Sequence, residues 1–158
     1  MDGHILLLEQ SAAQFVDAEI TAVPAISCGF PSPATDEIEV RLSITDFFTS
    51  NPTATFFGKA VGTSLQGIDI FEGDILVIDR SLKPREDDII VMTYEGGFTA
   101  KKINYVGNDL YLTSENTHYP PVLVTDPDNL VVWGVVLKVI KEVRSRAKSG
   151  FGRIKKAI

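Results

Sequence analysis

Ile89-Ile90-Val91-Met92-Thr93-Tyr94-Glu95-Gly96-Gly97-Phe98-Thr99-Ala100-Lys101-Lys102-Ile103 decides the fold. Two runs rich in β-branched and aromatic residues flank Glu95-Gly96-Gly97, where glycine supplies the backbone freedom of a tight hairpin turn. The same kind of text continues on both sides. Strands are expected over 54–61, 75–78, 110–113 and 131–143, with Gly107-Asn108-Asp109 as another turn signal. Short apolar runs broken by turns every eight to twelve residues predict an all-β, or mainly β, domain.

Outside that region the text changes. Residues 1–28 read as an arm, with a short helix expected over 11–20. Pro24, Pro31 and Pro33 force Val23, Phe30 and Ser32 toward extended geometry. Residues 29–53 read as a linker with a short helix. Ser43-Ile44-Thr45-Asp46 resembles a capping box that would start this helix through Phe47 and Phe48, before Pro52. Residues 54–143 form the β domain, and 144–158 a basic C-terminal tail.

At 158 residues and 44% hydrophobic content, the chain suits one compact domain with tails. The net charge of −6 argues against bulk nucleic-acid binding. The charge is uneven: residues 1–28 hold four acids and no Lys or Arg, while 138–158 hold eight basic residues against Glu142, 8 − 1 = +7. The tail suits nucleic acid or an acidic partner as well as plain solvation, so direct DNA contact stays open. One cysteine allows no internal disulfide, no apolar run is long enough to span a membrane, and the start does not read as a signal peptide. A cytoplasmic protein is expected.

Three stretches carry chemistry. Ser27-Cys28-Gly29-Phe30-Pro31-Ser32-Pro33 offers a small-residue peptide bond in a proline-stiffened, extended segment. Val61-Gly62-Thr63-Ser64-Leu65 places a serine in a glycine-containing turn, whose N–H groups are candidates to meet an oxyanion. Lys101 and Lys102 lie on a strand and point to opposite faces, so only one can meet that serine. A neutral lysine can act as base for a serine hydroxyl, and burial favours the neutral form. Cys28 has no base nearby, which favours a place on the acyl side of a scissile bond. His118 sits in loop-like text and reads as a turn residue. Asp69, Glu72, Asp74 and Asp79 read as solvated or turn-capping carboxylates. The two histidines and one cysteine show no zinc spacing, so neither a metal nor a cofactor is expected.

These motifs together resemble the UmuD-like self-cleaving proteins of SOS mutagenesis, within the wider LexA-like serine peptidases. The pieces that match are Cys28-Gly29-Phe30-Pro31-Ser32-Pro33-Ala34, Gly62-Thr63-Ser64-Leu65, Glu72-Gly73-Asp74-Ile75-Leu76-Val77-Ile78-Asp79, Phe98-Thr99-Ala100-Lys101-Lys102 and Trp133-Gly134-Val135-Val136. They stand in family order over residues 27–143. The chain departs from the family's acidic-Ser-Met triplet with Thr63-Ser64-Leu65, where Leu keeps a similar apolar volume.

The resemblance implies a Ser-Lys peptidase domain with Ser64 as nucleophile and Lys101 as general base. It implies self-cleavage at Cys28-Gly29 under stimulation by a RecA–single-stranded DNA filament. It also implies a homodimer that joins a UmuC-like Y-family DNA polymerase in translesion synthesis. The arm, with Leu6, Leu7, Leu8 and Phe15, is expected to pack on the β domain until it is removed. Two other readings remain: a non-catalytic dimerisation module of a phage-type or LexA-type repressor, and a signal peptidase. The intact Ser64, Lys101 and Cys28-Gly29 argue against the first, and the missing apolar span against the second.

Overall fold

A computed structural model describes residues 4–7, 19–22, 40–94 and 97–143. Among the described residues ten strands dominate: β1 (His4–Leu7), β2 (Glu19–Ala22), β3 (Val40–Ser43), β4 (Thr55–Val61), β5 (Ile75–Asp79), β6 (Ile89–Tyr94), β7 (Gly97–Val106), β8 (Asp109–Thr113), β9 (Val122–Leu123) and β10 (Val131–Ile140). One short helix, α1 (Ile44–Phe48), follows β3, and the Ser43 hydroxyl caps it by accepting the Asp46 N–H at 3.3 Å. The expected all-β class is the observed one. The hairpin expected around Glu95-Gly96-Gly97 forms with Tyr94 opposite Gly97.

Eight strands make one antiparallel sheet in the order β1-β4-β5-β10-β6-β7-β8-β9. β1 pairs with β4 and also meets β7 at His4↔Thr99, so the sheet curls until its first strand touches its sixth. A two-stranded ladder of β2 and β3 stands apart. The helix expected over 11–20 does not reach its end, because Glu19 and Ile20 are the first residues of β2. Pairing with Ser43 and Leu42 outweighs a weak helical preference at these positions. Residues 11–18 lie outside the described residues, as does the tail 144–158.

The curl explains why the central strands carry no clean alternation. Leu76, Val77, Ile78, Ile90 and Val91 are fully buried, so successive residues of β5 and β6 are covered on both faces. Alternation survives as a division between two clusters. Val91 packs with Ile78, Ala100 and Leu76, whereas Ile90 and Met92 pack with Ile103, Leu112 and Val135. Burying each such side chain is worth about 1.5–3 kcal/mol before ordering costs.

β10 holds the middle of the sheet, and its register shifts between Val132 and Gly134 against β6 and between Val136 and Lys138 against β5. Such irregularities sharpen the twist of a strand. Beside the first shift, Trp133 packs edge-on against Phe56 at 5.0 Å and Phe98 at 5.4 Å between ring centroids. The Arg80 guanidinium covers Trp133 at 4.8 Å.

Gly134 leaves no room for a side chain: a Cβ there would lie 2.7 Å from Ile78 Cγ2 and 3.1 Å from the Asp79 carbonyl oxygen. Gly134→Ala should therefore lower stability by about 1–3 kcal/mol, as overpacking does. Urea unfolding that gave equal midpoints for the two proteins would contradict this account of the β5–β10 contact.

Candidate functional site

β4 ends at Val61, and the chain leaves the sheet through Gly62 at φ 91°, a backbone region that glycine enters without strain. Thr63, Ser64 and Leu65 follow, leading into a 3-10 turn over Gln66–Ile68. Ser64 is buried, at 4% exposure, and Leu65 beside it joins the apolar core. The Gly62 N–H donates to Glu72 Oε2 at 3.3 Å, and the Gln66 N–H donates to the Thr63 carbonyl at 3.3 Å. Those two donors are thereby removed from any oxyanion role.

Lys101 lies near the middle of β7. Val61 and Thr99 both stand opposite His4 of β1, which puts the end of β4 about two strand spacings, roughly 10 Å, from β7. β4 and β7 each run antiparallel to β1, so they run parallel to each other. Ser64, three residues past Val61, and Lys101, two past Thr99, therefore advance toward the same end of one seam.

The segment after β8 ties the two together. Lys101 Nζ donates to Ser114 Oγ at 2.8 Å and lies 5.8 Å from the Tyr119 ring centroid. The Glu115 carbonyl accepts the Gly67 N–H at 2.6 Å, and Asn116 Nδ2 donates to the Thr63 carbonyl at 2.8 Å. A cleft of about 890 Å³ opens alongside, lined by Gln66, Gly67, Phe71 and residues 113–121. Its wall thus carries both a partner of Lys101 and the turn that holds Ser64.

Lys102 goes elsewhere, as strand alternation requires. It pairs with Asp87 at 3.1 Å and Glu115 at 3.4 Å. The hydrogen bond to Asp87 raises its pKa above the ordinary lysine value against the opposing effect of burial, and Glu115 adds to the rise. Asp74 behaves in the opposite way. Burial pushes its carboxyl up, but hydrogen bonds from Lys141 and the Phe71 N–H outweigh that and hold it below the usual range.

The remaining polar residues take turn roles. Asp79, buried in the core, accepts from the Ser81 N–H at 2.7 Å and hydroxyl at 2.6 Å. The exposed His118 ring meets Asn116 Oδ1 at 2.9 Å through Nδ1. Among the described residues, no group of three or more His, Cys, Asp and Glu side chains is placed to hold a metal. Among them too, no helix is long and apolar enough to cross a membrane. Cys28 and Gly29 lie outside the described residues, in the stretch between β2 and β3. Sequence reasoning missed Ser114 and Asn116. Their only signal was a polar run, Ser114-Glu115-Asn116-Thr117, between a strand and two prolines.

Comparison with known proteins adds an independent finding. The family described as Peptidase S24-like matches residues 19–137. Protein SamA of Salmonella typhimurium is 35% identical over 117 residues, 74% of this chain and 81% of its own. Protein MucA of Escherichia coli is 33% identical over 132 residues, 82% of this chain and 89% of its own. The LexA repressor of Shewanella piezotolerans is 27% identical over 135 residues, 85% of this chain and 65% of its own.

The Lys102 pairing has a pH signature. A group whose pKa rises on folding adds stability that is complete below its unfolded value, near 10.4, and is lost as pH climbs through the folded value. Lys102→Met should unfold at a lower temperature than the parent at pH 8, and the gap should narrow above about pH 10.5. A gap that stays constant across that range would show that the ion pairs contribute nothing.

Proposed function

The chain belongs to the Peptidase S24-like family, as a UmuD-like protein, and from that premise we propose that it is a serine peptidase that cleaves its own Cys28-Gly29 bond. In this reading neutral Lys101 Nζ accepts the Ser64 hydroxyl proton while Ser64 Oγ bonds to the Cys28 carbonyl carbon. Collapse of the tetrahedral intermediate breaks the bond to Gly29, whose nitrogen takes the proton from Lys101. Water then hydrolyses the Ser64 ester, with Lys101 again as base. The products are residues 1–28 and 29–158.

The observation that carries this reading is the shared seam. Parallel β4 and β7 deliver Ser64 and Lys101 to the same end, beside a cleft roomy enough for an extended peptide. The contrast between the two lysines supports it. Lys102 sits against carboxylates that hold its proton, which argues against it as the base, and Lys101 makes one of its contacts to the Ser114 hydroxyl. A base must give up its proton near the working pH, and a carboxylate partner opposes that.

The biological setting follows from the family resemblance. A RecA–single-stranded DNA filament would shift the population toward the cleavage-competent arrangement. The processed homodimer would then serve a Y-family polymerase in SOS mutagenesis. β1, lying on the β domain, supports the idea that the arm covers a surface until it is cut.

Incubation of the purified protein at alkaline pH should release a fragment beginning at Gly29 with no added protease. Ser64→Ala and Lys101→Ala should each stop this, and Lys102→Ala should cleave nearly normally. N-terminal sequencing that finds another start, or a dead Lys102→Ala beside an active Lys101→Ala, would sink the assignment. The 29–158 product should also bind the cognate polymerase more tightly than the full-length Ser64→Ala protein, and equal affinities in a titration would refute the masking role alone.

A further inference from the structure

We propose that residues 114–116 are the brace that sets Lys101 against Ser64, with Ser114 and Asn116 as positioning residues for the cleavage reaction. The inference rests on the self-cleavage reading above. Ladder hydrogen bonds fix the backbone of a strand, and they set neither a residue beyond its end nor the tip of a long side chain. Ser64 lies three residues beyond the last ladder position of β4, where the strand no longer fixes the backbone. The Lys101 ammonium sits at the end of a flexible four-carbon stem, and ordering such a side chain costs conformational entropy. Proton transfer nevertheless demands hydrogen-bond reach between the two groups.

Three consecutive residues meet both requirements from one segment. Ser114 Oγ accepts from Lys101 Nζ at 2.8 Å. A lysine head has several N–H groups, so one bond to a hydroxyl directs the head without using all of its donors. The Glu115 carbonyl takes the Gly67 N–H at 2.6 Å, and a Cβ on Gly67 would run into that carbonyl, so the turn after Ser64 lies flush on the brace. The Glu115 carboxylate pairs with Lys102, which pins the brace to β7 from the other face.

Asn116 completes it. Its Nδ2 donates to the carbonyl of Thr63, the residue before the nucleophile, at 2.8 Å. Its Oδ1 accepts the His118 N–H at 3.0 Å and meets the His118 ring at 2.9 Å. The amide therefore has one orientation. Reversed, it would set oxygen against the Thr63 carbonyl and NH₂ against the His118 N–H. A displacement of either end would carry to the reacting pair, and about 1 Å of misplacement can cost a hundredfold in rate.

The test uses the full-length protein in the alkaline self-cleavage assay. Ser114→Ala and Asn116→Ala should each slow cleavage roughly ten- to a hundredfold, with thermal unfolding close to that of the parent. Ser114→Thr, which keeps the hydroxyl, should restore most of the rate. Asn116→Asp, which keeps the acceptor for His118 but cannot donate to Thr63, should stay slow. Parental rates in Ser114→Ala or in Asn116→Asp, or no rescue by Ser114→Thr, would overturn the proposal.

A second readout does not depend on cleavage. Titration of the Lys101 side chain by NMR should show Ser114→Ala losing its proton at lower pH than the parent, because the ammonium loses an acceptor, with Ser114→Thr close to the parent. The other titratable groups of the surrounding elements remain in every variant: His4 on β1, Glu72 beside Gly62, Tyr94 on β6, Lys102 on β7, and Glu115, His118 and Tyr119 after β8. An unchanged Lys101 titration in Ser114→Ala overturns the brace. A parent that titrates as expected but never cleaves refutes the peptidase reading instead.

Discussion

The close approach of β10 to β5 at Gly134 is the constraint on which the rest depends. With no side chain at that position, the backbone of β10 settles against Ile78 and the Asp79 carbonyl. The register shifts on either side of Gly134 give β10 the extra twist that a curled sheet needs. Trp133 fills the adjoining space under Arg80 and between two phenylalanines, which fixes the bend in place. Curling covers both faces of β5 and β6, and it brings β7 round to the strand that borders β4. A flat sheet of the same order would hold β4 and β7 four strands apart.

From that curl the site follows with little further cost. Strands running the same way deliver the turn after β4 and the middle of β7 to one end of the molecule. Loops at the end of a rigid sheet are where chemistry is placed most readily, because the scaffold positions them while their backbone stays free of the ladder. What the sheet cannot do is fix a serine beyond its last rung or the tip of a lysine. The segment after β8 supplies that, through one side-chain acceptor, one backbone carbonyl and one side-chain donor in successive residues.

Neighbouring lysines show how one strand separates two electrostatic roles. Alternation sends Lys101 toward a hydroxyl and an aromatic face, and Lys102 toward two carboxylates. The second setting suits a group that must keep its proton. Lys102 and Glu115 together also couple the stability of β7 to the position of the segment that contacts Ser64's turn.

Much of this was legible in the residues. Period, turn chemistry and β-branched runs located β4 to β8 and β10 to within a few residues, because these signals are local and every strand is short. Gly62 announced the positive φ of the turn before Ser64, Ser43 the cap of α1, and alternation the separation of Lys101 from Lys102. The helix expected to run to Ile20 failed at its end, since Glu19 and Ile20 pair with Ser43 and Leu42, 24 and 22 positions away. Ser114 and Asn116 were invisible for the same reason: Asn116 meets Thr63 across 53 positions. Sequence alone thus determined which residues could do chemistry and which elements carry them. Tertiary structure alone decided that the turn, the strand and the polar segment meet, because that meeting depends on how far the sheet curls, and curl is set by long-range packing.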